Sequence, residues 1–244
     1  MKFFGKYVII KGRMNIENQE KKYLYKITEE NKEGFDKFYK LLLEYNKKYN
    51  LTAITEEKDV LYKHFLDSAL GEFLFPLNAR VLEVGSGAGF PSLVLKLLRP
   101  DLKFTLLESI GKKCEFLTVA VRELGLKDVE ILNTRAEELA KNPEYRENYD
   151  AVCARAVAAM NTLSEYCIPF VKRGGVFVAY KGGDEEEIKN GENAVKILGG
   201  KIKESYVYDL PENYGKRSLI LVEKIKSTPQ KYPRGNGKER KNPL

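Results

Sequence analysis

The sequence has 244 residues, of which 43% are hydrophobic and 11% aromatic, so wholesale disorder is excluded and a substantial core is expected. Its 42 Lys and Arg against 35 Asp and Glu give a net charge of +7, which fits a polyanionic partner and equally a lysine-rich solvated surface. His64 is the single histidine and the three cysteines form no C-x-x-C pair, which argues against a metal site. The odd cysteine count, without a secretory leader or an apolar span, predicts a soluble cytoplasmic protein with no membrane partner.

The first part of the chain indicates helices. Residues 1–30 are rich in Lys and Tyr and are interpreted as an N-terminal extension. Over 33–49 apolar residues recur at helical spacing, and a second stripe follows, formed by Leu61, Phe65, Ala69 and Phe73. Two amphipathic helices must bury these stripes, which predicts a helical region over 31–78 packed against the domain that follows.

From Arg80 onward short apolar runs alternate with helical segments. Strands are predicted at 80–84, 103–108, 128–132, 149–154, 175–180, 202–210 and 218–224. Helices are predicted between them at 91–98, 112–124, 135–141, 159–172 and 184–198. This alternation predicts an α/β, Rossmann-like domain over 79–225, with a mostly parallel seven-stranded sheet. The last two strands have no helix between them, which predicts one antiparallel strand.

The C-terminal tail, residues 226–244, contains three prolines and two glycines from Pro229 onward, so neither a helix nor a central strand is expected there. Within 229–244 five Lys and Arg residues stand against the single acid Glu239. Two interpretations remain open, a solvated terminus and a basic arm that contacts phosphates.

A glycine-rich turn follows the first predicted strand, with Gly85, Gly87 and Gly89 at every second position. The dinucleotide fingerprint G-x-G-x-x-G requires a third glycine where Phe90 stands, so the strict match fails. A G-x-G-x-G turn preceded by Glu83 suits S-adenosylmethionine, which has no pyrophosphate to place at a helix N-terminus.

Three further features follow the next strands of the predicted sheet. Glu108 ends the second strand, where an acid accepts hydrogen bonds from ribose hydroxyls, and Ala136 and Glu137 follow the third strand, near the expected adenine. Arg155 ends the fourth strand. Singly, each feature could be a solvated acid or a structural ion pair, but all of them occupy strand ends at which α/β sheets bind ligands.

Seven motifs together resemble the ribosomal RNA small-subunit methyltransferase G family, also called glucose-inhibited division protein B. They are 50-NLTAI-54, 64-HFLDS-68, 84-VGSGAGFP-91, 106-LLESIGKK-113, 135-RAEE-138, 154-ARA-156 and 181-KG-182. The resemblance extends from Phe35 to Leu244 and implies a class I methyltransferase that methylates guanine N7 in 16S rRNA with S-adenosylmethionine. It also implies that Gly85 and Phe90 line the methionine and ribose part of the cofactor, that Ala136 and Glu137 meet the adenine, and that Arg155 is a cofactor-binding residue that lies at the cofactor pocket and faces the substrate.

Two positions depart from the family pattern. Ser92 stands where a glycine is common, and we expect this small residue to be tolerated. The tail reads Pro233-Arg234-Gly235 where Pro-Arg-Arg is frequent, which weakens any inference that the tail's RNA contacts are unchanged.

The expected chemistry requires positioning more than proton transfer. Guanine N7 has an in-plane lone pair and the sulfonium is already a good leaving group, so alignment for in-line displacement should dominate. His64 and Asp67 are expected on one helical face, either at the mouth of the site or satisfied within the helix packing. Arg155 or Lys181 could donate to guanine O6 or hold a phosphate, and our hypothesis is that Arg155 orients the base.

We expect a monomer whose partner is 16S rRNA or the small ribosomal subunit. The predicted RNA-facing surface consists of the tail with Lys112, Lys113, Lys172, Arg173, Lys216 and Arg217. Three alternatives remain. The first is an NAD-dependent oxidoreductase, which Phe90 disfavours. The second is a methyltransferase that acts on another RNA, on a protein or on a small molecule. The third is a non-enzymatic RNA-binding protein.

Overall fold

The computed structural model describes residues 16–183 and 185–244. Its strands are β1 (Arg80–Val84), β2 (Lys103–Glu108), β3 (Val129–Asn133), β4 (Tyr149–Arg155), β5 (Val171–Lys181), β6 (Gly200–Asp209) and β7 (Lys216–Lys224). Its α-helices are α1 (Ile16–Tyr25), α2 (Lys32–Tyr49), α3 (Glu57–Val60), α4 (Asp67–Ala69), α5 (Ser92–Leu98), α6 (Gly111–Glu123), α7 (Ala136–Leu139), α8 (Met160–Cys167), α9 (Glu185–Ile197) and α10 (Lys238–Lys241). π-Helical turns cover Lys26–Glu30 and Leu61–Leu66, and 3₁₀ turns cover Glu72–Leu74, Ile168–Phe170 and Pro211–Asn213.

The seven strands form one sheet in the order β3-β2-β1-β4-β5-β7-β6. Strands β1 to β5 pair in parallel, and β7 is antiparallel to both of its neighbours, as the missing helix between the last two strands predicted. The carboxyl ends of β1 to β5 therefore share one edge of the sheet with the beginning of β7. We call this the carboxyl edge, and the opposite one the amino edge.

The largest difference from the predicted elements lies at the start of β5. A helix was expected over 159–172, but α8 ends at Cys167 and a 3₁₀ turn containing Pro169 leads into β5 at Val171. Proline removes a backbone donor and fixes φ, which ends the helix early. Gly125 follows α6 with a φ of 65°, the left-handed conformation that commonly ends a helix.

One face of the sheet is covered by the N-terminal helices. Phe38 and Leu42 of α2 and Phe65 of the π-helical turn are buried in one cluster with Val81 and Leu106 of the sheet. The other face is covered by α8 and α9, in a second cluster that includes Leu82, Val152, Phe177, Leu163 and Val195. The helical region is thus part of the main core, as the amphipathic stripes predicted.

The sequence assigned no structure to the N-terminal extension, residues 1–30. In the structure α1 begins within it at Ile16, and Tyr23 and Ile27 are buried in the main core. The remainder of the expected extension, residues 1–15, lies outside the described residues.

The tail requires a correction, because it contains the short helix α10, where no helix was expected. The one-turn helix begins only after Gly237, the last of the residues that break regular structure before Pro243. Tyr232 and Glu239 are buried, so the tail packs against the domain.

Within the described ranges, no helix is both long enough and apolar enough to cross a bilayer. In the same part of the chain, no group of three His, Cys, Asp or Glu side chains could hold a metal ion. Cys114, Cys153 and Cys167 are buried free thiols.

Candidate active site

The glycine turn lies between β1 and α5, and each of its three glycines has positive φ: 73° at Gly85, 55° at Gly87 and 84° at Gly89. A Cβ at Gly85 would lie 2.7 Å from Val157 Cγ2, and one at Gly89 would overlap Leu93. A Cβ at Gly87 would meet only the carbonyl oxygen of Gly85, at 3.8 Å. Two glycines are therefore required by close packing, whereas Gly87 faces open space that a ligand can occupy.

Glu108 joins this turn to the next strand. Its Oε2 accepts a hydrogen bond from the backbone N–H of Gly87 at 2.9 Å, and its Oε1 accepts one from Ile110 at 2.9 Å. The Gly87 turn and the end of β2 are thus fixed to one carboxylate, which retains lone pairs for another donor. Beside it, the Ile110 side chain is 42% exposed, an apolar surface at the carboxyl edge.

Ala136 and Glu137 begin α7 directly after β3, at the same edge. Ala136 is buried, and the Glu137 carboxylate is 3.9 Å from the largely exposed guanidinium of Arg135. The register of the parallel strands pairs Glu108 with Asn133, so the two predicted cofactor contacts follow neighbouring strand ends.

Arg155 is held by the π-helical turn and α4. Its Nη1 donates to the carbonyl oxygen of Lys63 and to Oδ2 of Asp67, both at 3.1 Å. Its Nη2 donates to Nδ1 of His64 at 2.9 Å, and its guanidinium carbon lies 5.1 Å from the centre of the Phe90 ring. Each guanidinium carries five N–H donors, and among the described residues Nε–H and one Nη2–H have no hydrogen-bond partner.

His64 is fixed in one tautomer by these contacts. Nδ1 lies 2.9 Å from Nη2 of Arg155 and 3.2 Å from the carbonyl oxygen of Lys63. Because a guanidinium only donates and its contact is the shorter, we assign Nδ1 as the acceptor, which places the ring proton on Nε2, 2.9 Å from Oγ1 of Thr52. The ring is buried and stacks on Phe90, with centroids 4.4 Å apart. Burial, together with the nearby positive charge of Arg155, lowers the pKa of His64 to about 3, so the imidazole is neutral at physiological pH.

Asp67 is the charge partner of this arginine. The carboxylate is buried, and it accepts from Arg155 and, at 3.1 Å, from the hydroxyl of Tyr208 in β6. Nε of Arg217 lies 3.8 Å from Oδ1. As predicted, His64 and Asp67 lie on one face, since both contact Arg155.

Phe90 is part of the aromatic packing between the turn and the N-terminal helices. The ring is 6% exposed and contacts Phe38 and Phe65 as well as His64. That the side chain lines the cofactor stays a prediction, and the structure gives it a packing role. Pro91 was expected as the first residue of the next helix, but α5 begins at Ser92 and Pro91 caps it.

Glu83, which precedes the turn, is fully buried in β1. Neither of its carboxylate oxygens has a hydrogen-bond partner among the described residues. Burial raises the pKa of this carboxyl to about 7, and the nearby Ser92 and Arg155 reduce the shift. A large part of the population therefore carries a neutral Glu83 at neutral pH.

Lys181 ends β5 next to this group of residues. Its Nζ donates to the carbonyl oxygen of Ala158 at 2.7 Å and forms an ion pair with Glu187 of α9. The side chain is thereby tied to α9, and Arg155 is the better placed of the two cations proposed for the base.

The predicted RNA-facing residues do not form one surface. Lys112 and Lys113 at the start of α6, and Lys216 and Arg217 at the start of β7, lie at the carboxyl edge. Lys172 and Arg173 lie at the start of β5, on the amino edge, where Lys172 pairs with Asp150. The structure thus separates these two residues from the other four, and their contact with RNA stays a prediction.

Sequence reasoning missed three residues of the site. Thr52 was part of the quoted 50-NLTAI-54 motif but was not assigned a contact, and its position there is the signal that could have indicated it. Ile110, two residues after Glu108, could have been noted as an apolar residue in a polar loop. Tyr208 gave no signal, since only the strand order brings β6 to Asp67.

The strand order, with the antiparallel β7 inserted between two strands of an otherwise parallel sheet, and the open glycine turn tied to Glu108 define a Rossmann-like protein of the class I methyltransferase type. A sequence profile of the family described as rRNA small subunit methyltransferase G matches residues 31–214. The chain belongs to this family.

Individual relatives agree with this assignment. The ribosomal RNA small subunit methyltransferase G of Staphylococcus epidermidis is 48% identical over 216 residues, which cover 87% of this chain and 90% of the relative. The protein of the same name from Lactobacillus acidophilus is 46% identical over 228 residues, covering 91% and 95%. Among solved structures, an O-methyltransferase from Bacillus cereus in complex with SAH has a similar fold, with a TM-score of 0.55 at 16% identity over 77% of this chain and 91% of that one.

Proposed function

We propose that the protein transfers a methyl group from S-adenosylmethionine to N7 of a guanine in 16S rRNA. The observation that carries the proposal is the extent of the family match. Residues 31–214 include the residues assigned to the cofactor and the base, together with their contacts from Thr52 to Tyr208, so these belong to the part that makes this chain a family member.

The residues present fit the cofactor. Gly87 leaves space above the turn, Glu108 has lone pairs for ribose hydroxyls, and the exposed Ile110 offers an apolar surface for the adenine. We assign Gly85, Gly87, Gly89, Glu108, Ala136 and Glu137 to the cofactor site. When bound, S-adenosylmethionine supplies a methyl group on a sulfonium, and the sulfur leaves without protonation by an acid.

The protein's contribution is then to hold the base. Guanine N7 presents its lone pair without prior deprotonation, so no general base is needed and orientation determines the rate. Arg155 supplies the orienting donors, Nε–H and one Nη2–H, and a planar guanidinium suits guanine O6.

A cation beside a base that gains positive charge would oppose the reaction, and Asp67 counteracts this effect. Its carboxylate pairs with Arg155 at 3.1 Å in a buried setting, so Arg155 keeps its donors while the net charge of the pair is near zero. His64 is neutral and positions Arg155 as an acceptor, without adding a second charge.

The partner and the setting follow from the substrate. An rRNA substrate and three reduced cysteines support a cytoplasmic enzyme without membrane attachment. One chain supplies every residue of the proposed site, which supports a monomer. The helical region and the sheet domain share one core, and we propose that they act as one catalytic unit.

The test is transfer of labelled methyl from S-adenosylmethionine to unmodified 16S rRNA and to small subunits assembled from it. Nucleoside analysis should give 7-methylguanosine as the single labelled product, and the two substrates distinguish naked RNA from the assembled particle. Glu108→Ala should raise the dissociation constant for the cofactor at least tenfold, because the ribose acceptor and the anchor of the turn are both lost. No label in RNA, or label in another nucleoside, would contradict the proposal.

A further inference from the structure

The tail follows a defined path from the amino edge toward the carboxyl edge. Near its beginning, Arg146 donates to the carbonyl oxygens of Thr228 at 3.0 Å, Pro229 at 3.3 Å and Tyr232 at 2.9 Å. The Tyr232 ring is buried in the cluster beneath α8. The first part of the tail is thus fixed to the domain by one guanidinium and one aromatic side chain.

The middle of the tail is joined to α8 by a buried ion pair. Arg234 donates through Nη2 to Oε2 of Glu165 at 2.7 Å and through Nε to Oε1 at 3.0 Å, and its backbone N–H donates to Oε1 at 2.8 Å. The Glu165 side chain is 1% exposed. A two-pronged guanidinium–carboxylate contact with an added backbone donor fixes position as well as distance.

A second contact fixes the end of the tail. Glu239 is buried, its carboxylate accepts from the backbone N–H of Gly235, and its carbonyl oxygen accepts from the hydroxyl of Thr162 at 2.9 Å. Thr162 lies in the first turn of α8, which follows β4 at the carboxyl edge. The contacts at Glu165 and Glu239 therefore bring α10 to the edge of the sheet where the site lies.

Three cations of α10 are left on the outer surface. Lys238, Arg240 and Lys241 are exposed, and in the described part of the chain none of them forms an ion pair. Arg240 also lies close to the hydroxyl of Tyr166, whose pKa is raised chiefly by burial and is affected by both Arg240 and Glu137. Arg240 is thus near the loop that we assign to the adenine.

We propose that the docked tail is an RNA-binding surface, in which Lys238, Arg240 and Lys241 contact phosphates beside the active site and the Arg234–Glu165 pair holds them there. This inference rests on the proposed function, since it takes rRNA as the partner. A docked helix loses less conformational entropy on binding than a free arm does, so its contacts are stronger for the same charge. The basic arm expected from the sequence is therefore a fixed surface.

The test is the salt dependence of binding to unmodified 16S rRNA. The triple variant Lys238→Ala, Arg240→Ala, Lys241→Ala should lower the slope of log affinity against log salt by about 2 to 3, since each phosphate contact contributes about 0.7 to 0.9. The matched control is Lys172→Ala, Arg173→Ala, Lys201→Ala, which removes the same residue types from the amino edge and should leave the slope unchanged. An unchanged slope in the α10 variant, or an equal fall in the control, would overturn the proposal.

Glu165→Gln tests the docking separately, because it keeps every tail cation and removes only the ionic partner of Arg234. We expect RNA affinity to fall at least threefold, while thermal unfolding verifies that the domain is folded. Wild-type affinity in this variant would overturn the docked geometry. At low salt and saturating RNA, the α10 variant should still transfer methyl groups. A wild-type protein that does not methylate RNA at all would instead contradict the proposed function, so the two failures can be told apart.

Discussion

The guanidinium of Arg155 donates to Nδ1 of His64 at 2.9 Å, so a charged arginine and a neutral histidine form a donor–acceptor pair at the carboxyl edge. The direction of this hydrogen bond fixes the histidine proton on Nε2. Because Phe90 stacks on the ring and Thr52 lies at its far end, the pair is held from both sides. The N–H donors of Arg155, at the end of β4, are thereby held in one orientation.

Arg155→Gln tests the orienting role. The amide keeps two N–H donors but loses the guanidinium fork and the ionic contact with Asp67, and we expect the single-turnover rate of methyl transfer to fall about 100-fold. The dissociation constant for S-adenosylmethionine should change by less than about threefold, since no cofactor contact is assigned to this side chain in the mechanism. Thermal unfolding separates this effect from loss of the fold. A single-turnover rate equal to that of the wild type would contradict the orienting role.

Thr52→Val removes the hydroxyl beside Nε2 of His64 while nearly conserving volume. The Nε2–H of the imidazole then loses its hydrogen-bond partner, and the rate at saturating RNA should fall about tenfold, corresponding to one lost hydrogen bond. Thr52→Ser is the matched control and should retain most of the activity, because it keeps the hydroxyl. If the two variants had the same rate, Thr52 would act only through packing.

The neutral His64 makes stability depend on pH. Its pKa is about 3 in the folded protein and 6.5 when unperturbed, so the unfolded chain binds the proton first as pH falls. Its contribution to the free energy of unfolding is complete above about pH 6.5 and is lost toward pH 3, with a slope of at most about 1.4 kcal/mol per pH unit. Denaturant unfolding of the wild type and His64→Gln should therefore converge as pH falls through this window. Parallel curves would show that His64 does not titrate as described.

Glu83 acts in the opposite direction. Its pKa rises from 4.5 to about 7 on folding, so the folded protein holds the proton more tightly. Its contribution is complete below about pH 4.5 and is lost as pH rises toward 7. Glu83→Gln, which keeps the shape and cannot ionise, should gain stability relative to the wild type across that window. A difference between the two proteins that does not vary with pH would contradict a buried, unpaired carboxyl.

The fold was largely predictable because each strand combines an apolar run with a clear boundary. Both ends of β1 and β2 agree with the predicted ranges, since a turn or a glycine lies beside each of them. The boundary between α8 and β5 was not predictable in the same way, because apolar residues continue from Ile168 to Val171 and periodicity does not separate the two elements.

For the site, the strand-end rule brought Glu108 and Arg155 to one edge from the sequence alone. The sequence did not indicate which residues of other elements contact the side chains of the site. The contact of Thr52 with His64 depends on the π-helical turn, and that of Tyr208 with Asp67 on the position of β6 at the end of the sheet. The second contact joins residues 141 positions apart, and no local spacing encodes it.

The atom that receives the methyl group is the centre of this account, and 16S rRNA transcribed with 7-deazaguanosine tests it most directly. This nucleoside replaces N7 by a carbon and leaves O6 and N2 in place. We predict that the substituted RNA accepts no labelled methyl group from S-adenosylmethionine, while a competition assay verifies that it still binds. Continued methylation of the substituted RNA would contradict guanine N7 as the acceptor.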